Sequence, residues 1–133
     1  MVSVVFILVV LAALGSAMAV VSTRQHQGAS TELQAARAYQ SARAGVEWGA
    51  YRILRFSGGC PSTTSMVPGG SLSGFTVTVT CTDAGTLTDG STSLRMFRLQ
   101  ANACNAPTAG TCPASGTPNA SYVERQLSWT ITR

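Results

Sequence analysis

The chain opens on an apolar run, MVSVVFILVVLAALGSAMAVV, 21 residues without a charge. Twelve of them are Val, Ile, Leu or Phe. As a helix the run would span roughly 31 Å, the thickness of a bilayer's hydrocarbon core. Its insertion would be favourable by on the order of 5 kcal/mol, offset a little by Ser3, Gly15 and Ser16. The pattern then changes without losing helical character. From Ser30 to Phe56 the chain is rich in Ala, Leu, Gln, Glu and Arg, and the first proline is Pro61. At 100° per residue, Ala35, Tyr39, Ala42, Val46, Ala50 and Ile53 share one stripe suited to packing on a core. The far side carries Leu33, Ala44, Trp48 and Tyr51 among Arg37, Arg52 and Arg55. A helix apolar on two sides needs two partners, so Leu33, Trp48 and Tyr51 are candidates for contact with a neighbouring subunit. The bland reading is that Trp48 and Tyr51 half-bury at a domain edge.

The pair Gly58-Gly59 ends the helical pattern, and strand alternation follows. GFTVTVTCT (Gly74–Thr82) places Phe75, Val77, Val79 and Cys81 on one side. LRMFRLQANAC (Leu94–Cys104) turns Phe97, Leu99, Ala101 and Ala103 inward, and YVERQLSWTITR (Tyr122–Arg133) does so with Val123, Leu127, Trp129 and Ile131. DAGTLTDGSTS reads as the connection between the first two strands. NAPTAGTCPASGTPN is a 15-residue polar loop that needs pinning. The expected fold is α+β: a long N-terminal helix packed on a small antiparallel β-sheet. Its organisation divides into a transmembrane or assembly helix over 1–23, an amphipathic continuation over 24–56, and a sheet domain over 57–133. Within the helix, Gly28 predicts a bend or local melting. Gly45 and Gly49 have the spacing that lets membrane helices approach closely, although here they lie beyond the apolar run.

Four cysteines, Cys60, Cys81, Cys104 and Cys112, contain no C-x-x-C, so a zinc ribbon or redox pair is disfavoured. An even count beside an export-type N-terminus reads as two disulfides in an oxidising compartment. Of three possible pairings, Cys60–Cys81 and Cys104–Cys112 are favoured because each closes a compact loop. The nine basic residues are all Arg and form no run, so the net charge of +4 gives little support for nucleic-acid binding. Only one histidine occurs, His26, and it reads as a solvated polar position. No G-x-S-x-G, H-E-x-x-H or phosphate-loop motif appears, and the five acids form no acid/base couple. Glu47 follows Arg43 by four positions and reads as its weak partner. The chemistry points to a structural protein without catalytic, metal or cofactor residues. Asn119-Ala120-Ser121 matches a glycosylation sequon, a pattern common by chance.

Ala17-Met18-Ala19 fits signal-peptidase cleavage, which would make the segment a discarded export signal on a small disulfide-bonded binding domain. No basic stretch precedes the apolar run, however, and the charges nearest it follow it. A basic leader upstream of Met1 would resolve that conflict.

The stretches VVFILVVLAALG, ARAYQSARAGVEWGAYRIL, FTVTVTC and YVERQL resemble type IV pilin-like proteins, and within them the MshP family of minor pilin-like proteins from the MSHA pilus system. The resemblance runs from Val4 to Leu127 and is poorest in the loops. It implies that a prepilin peptidase removes a short basic leader and that the new N-terminal amine is methylated. It further implies that the apolar segment, with Phe6, Leu8, Leu11 and Leu14, serves first as an anchor in the bacterial inner membrane and later as filament core. The implied partners are the lipid bilayer, the inner-membrane pilus assembly platform and other major and minor pilins. The sheet domain would be periplasmic, and then part of the pilus filament or its tip. Most major pilins carry a Glu near mature position 5; here no acid precedes Glu32. That departure suits a subunit that primes assembly or sits in a tip complex. A pseudopilin of a type II secretion system has the same membrane logic. If the tip touches surfaces, the polar loop between Cys104 and Tyr122 is the exposed candidate.

Overall fold

In the computed structural model the described residues are 2–56, 59–117 and 119–133, with the side chains of 24–27 excepted. Among these residues the elements are one helix, α1 (Val2–Arg55), and four strands. The strands are β1 (Thr64–Met66), β2 (Thr76–Asp89), β3 (Thr92–Cys104) and β4 (Glu124–Thr132), with a short 3-10 turn at Gly70–Leu72. All neighbours in the sheet are antiparallel and consecutive in sequence, in the order β1-β2-β3-β4. The chain divides into two compact units, Met1–Gln34 and Ala35–Arg133. Gly28 lies inside α1, so the helix is not melted there.

The second unit is built on one face of the sheet. Ala42, Val46 and Ile53 of α1 pack with Val77 and Val79 of β2 and with Phe97, Leu99, Ala101 and Ala103 of β3. Each of these nine residues is buried. Strand alternation places the inward set as the sequence predicts, because an antiparallel strand with one dry face repeats every two residues. The helix stripe differs from the expected one. Tyr39 is 45% exposed, whereas Ala38, Ser41, Ala42, Gly45, Val46, Gly49 and Ile53 form the buried line. Closeness decides this. The Cβ-less positions Gly45 and Gly49 sit directly over Val77, Val79 and Leu99, and the helix turns its smallest residues rather than its most apolar ones to the sheet. Ser41 tolerates burial because its hydroxyl donates to the Arg37 carbonyl one turn back, at 2.9 Å.

Two other expectations are corrected. The segment DAGTLTDGSTS is largely strand: β2 and β3 run on as a paired ribbon from Asp83↔Phe97 to Asp89↔Thr92. The reversal takes only Gly90 and Ser91, with Gly90 at φ 59, as a two-residue hairpin with glycine first requires. A bulge between Asp83 and Gly85 shifts the register where the ribbon leaves the core. Trp129, expected inside, is 46% exposed. It shares the helix-facing side with Leu127 and Ile131, which reach the margin of the core. The glycines of α1 contact β2 and β3, so β4 is left at the edge of the covered area. The three-residue strand β1 carries no alternation long enough to be read from sequence.

The end of α1 is capped from a distance. Arg133 donates through Nη1 to the Ile53 carbonyl at 2.9 Å and to the Phe56 carbonyl at 3.4 Å. These are groups a helix C-terminus leaves without partners, and a cation there also meets the negative end of the helix dipole.

Candidate functional site

The first unit offers an uncovered apolar surface. Phe6 is 67% exposed, and Leu8, Leu11 and Leu14 are exposed as well. Val2, Val9, Val20 and Met18 share that exposure, so the apolar surface lies on every side of the helix and not on one stripe. The most apolar 18-residue window of α1 has a mean hydropathy of 2.9 and none of it is buried. The helix is long and apolar enough to cross a membrane. Two of its small polar residues are compatible with an oily phase: Ser16 donates to the Ala13 carbonyl at 2.8 Å and Thr23 to the Ala19 carbonyl at 2.9 Å. Hydroxyls bonded to their own helix expose no unpaired donor to lipid. His26 falls outside the described side chains.

The candidates for the outer side of the helix fall in different units. Leu33 is exposed in the first. In the second, Trp48 is half-buried against the margin of the core, and Tyr51 is exposed with its ring edge-on to Phe56 at 5.9 Å. Arg52 lies over both Trp48 and Phe56, at 5.8 and 4.9 Å from the ring centroids. Trp48 therefore touches the margin of the core with one part of its ring and leaves the other part uncovered. Arg43 and Glu47 pair at 2.9 Å, but half-exposed partners one turn apart contribute little.

Both disulfides join the residues whose spacing favours them: Cys60 to Cys81, and Cys104 to Cys112. The first ties the segment after α1 to the helix-facing side of β2. The second folds the polar loop back over the other side of the sheet. There the Cys112 N–H donates to the buried Thr78 hydroxyl at 2.8 Å. The rest of the loop is held in three places. Asn105 donates to the Ser121 carbonyl and accepts from the Val123 N–H. Thr108 and Thr111 exchange backbone bonds. The Tyr122 hydroxyl donates to Glu124 at 2.7 Å and accepts the Ala114 N–H at 3.0 Å. Burial, joined by the Glu124 carboxylate beside it, pushes the Tyr122 hydroxyl above its ordinary pKa. The loop is exposed along most of its length, but it is anchored at both ends and in the middle.

No constellation for chemistry emerges among the described residues. No group of three His, Cys, Asp or Glu converges on a point. A shallow cavity of 270 Å³ is lined by Gly59, Ser93, Arg95, Phe97 and Arg133. Its two guanidiniums are already engaged, Arg95 with Asp83 and Arg133 with the end of α1. Asp83 sits at the bulge, where it accepts from the Gly85 N–H at 3.0 Å and from Arg95. Those two bonds, the backbone one first, hold its carboxyl below the ordinary 3.8. A carboxylate with a lowered folded pKa stabilises above its unfolded value, and the gain is lost as pH falls through the folded one. Asp83→Asn should therefore be less stable than the parent at neutral pH. The two melting curves should converge once acid has protonated Asp83, and a deficit that persists unchanged in acid would deny the carboxylate this role.

In comparisons with protein-family profiles, curated proteins and solved structures, nothing matches the chain.

Proposed function

We propose that the chain is a pilin-like subunit of the minor type, resembling the MshP family, which waits in the inner membrane and enters a filament or its tip through the apolar part of α1. One observation carries this reading. A single helix is uncovered and apolar on all sides over its first part, and forms one wall of a disulfide-closed domain over its second. A cleaved export signal has no reason to share its helix with the mature core. In a filament the same apolar surface exchanges lipid for the helices of neighbouring subunits. The two disulfides suit a domain outside the cytoplasm.

The lack of an acid before Glu32 refines the proposal. A carboxylate and an amine paired in a filament core attract strongly, whereas either charge left alone there is costly. A subunit without the carboxylate suits the first position, where no earlier amine must be neutralised.

The direct test is the N-terminus of the native protein, read by mass spectrometry on the envelope fraction. A methylated residue at or just before Met1 is the expected result. A start at Val20 would make the segment a discarded signal and leave an exported domain in its place.

A further inference from the structure

Among the described residues the backbone of β4 is paired on one side only. Arg95 and Arg133 exchange both backbone bonds, at 2.8 and 2.9 Å, and the Asn105 N–H donates to the Val123 carbonyl. Bonded pairs alternate along an antiparallel ladder, so the odd-numbered residues of β4 face β3. Glu124, Gln126, Ser128, Thr130 and Thr132 consequently turn their N–H and C=O groups away from the sheet. Among the described residues no backbone bond reaches them.

Soluble proteins normally protect such an edge with charge, proline, a bulge or brevity. The other edge, β1, is three residues long. β4 has nine, carries its only charges at Glu124 and Arg125, contains no proline and pairs with β3 without a bulge. Its helix-facing side also presents Trp129, 46% exposed between Leu127 and Ile131.

We propose that β4 pairs antiparallel with β4 of a second copy of this chain, about Ser128. The strand is complementary to itself in three ways. Ser128 is the central residue of Glu124–Thr132 and points its backbone outward, so pairing about it uses the full length. Ser128 then faces the partner's Ser128, Gln126 the partner's Thr130, and Glu124 the partner's Thr132, each pair exchanging two bonds. Between them, on the helix-facing side, Leu127 meets the partner's Trp129 in the closer, non-bonded type of pair, where aromatic and aliphatic side chains gain most. Charge selects the direction. A parallel arrangement would set Glu124 near Glu124 and Arg125 near Arg125, whereas the antiparallel one sends them to opposite ends, Arg125 opposite Ile131. This pairing involves only the sheet unit and does not depend on the filament reading.

The test uses the full chain in detergent micelles. Ser128→Cys places two thiols in a bonded pair, about 5.5 Å apart at Cα and within disulfide reach. It should cross-link to a dimer on mild oxidation. Thr130→Cys, on the same strand and side, should not, because each Thr130 lies opposite Gln126. Ser128→Pro removes an N–H that the monomer does not use, so the fold should persist by circular dichroism while the dimer's Kd rises about tenfold or more. A monomeric parent chain, equal cross-linking of both cysteine variants, or a dimer unaffected by Ser128→Pro would overturn the proposal. The last result would assign association to another surface, the apolar helix first.

Discussion

Alanine at Gly45 is expected to lower the stability of the sheet domain by about 2 kcal/mol, and leucine at the same position to prevent folding. A methyl group on Gly45 would stand 2.5 Å from Val77 Cγ1, 3.1 Å from Val79 Cγ2 and 3.2 Å from the Ala101 Cβ. None of these can retreat. All three residues are buried, and valine in a strand is stiff at its only side-chain torsion. Overpacking of this kind costs about 1–3 kcal/mol, here at the upper end, and the better helix propensity of alanine returns about 1 kcal/mol. Gly49→Ala should cost less, since its nearest neighbours are the Leu99 methyl carbons at 3.0 and 3.1 Å. Among the described residues a Cβ on Gly28 would meet nothing within 4 Å beyond its own helix, so Gly28→Ala should stabilise the helix by about 1 kcal/mol. Urea unfolding followed by near-ultraviolet circular dichroism gives the order. Equal effects at Gly45 and Gly28 would show that the helix does not rest on its glycines.

Removing the Cys60–Cys81 bridge is expected to be the larger of the two disulfide losses, about 3 kcal/mol against about 2.5 kcal/mol for Cys104–Cys112. The sequence separations are 21 and 8, and the longer loop loses more conformational freedom when closed. Position adds to the difference. Cys60 and Cys81 both pack at the margin of the core and hold the segment that leaves α1 against β2. Paired Cys→Ala variants, melted beside the parent, should show a drop of about 15 °C for the first bridge. The second should mainly free the loop, visible as loss of hydrogen-exchange protection at the Cys112 amide that bonds Thr78. If the short bridge proved the more stabilising, the chain-entropy account would be wrong for this domain.

Much of this architecture is legible in the residues because simple periods produce it. Val77, Val79, Leu99 and Ala101 repeat every two positions, and a strand with one dry face must read that way. The apolar opening needs only its length and lack of charge. Tyr39 and Trp129 lie outside the core for a shared reason: periodicity tells which side a residue shares, not whether a partner extends far enough to cover it. The glycines of α1 steer the helix onto β2 and β3, and both aromatic rings fall outside the contact. The long hairpin was hidden because Gly85 and Asp89-Gly90 resemble the end of a strand, while a bulge lets pairing resume beyond it. The cap on Ile53 by Arg133 carries no local signal. The subunit-contact role of Leu33, Trp48 and Tyr51 concerns what lies outside the chain, and exposure alone does not decide it.

That distant cap has a consequence for the order of synthesis. Arg133 reaches back 80 positions to Ile53, and β4 supplies Leu127 and Ile131 to the rim of the core. The apolar part of α1 leaves the ribosome well before the groups that close the domain. The domain can therefore close only late, and the wall formed by α1 must wait, its far end unsealed, until translation has delivered residue 133.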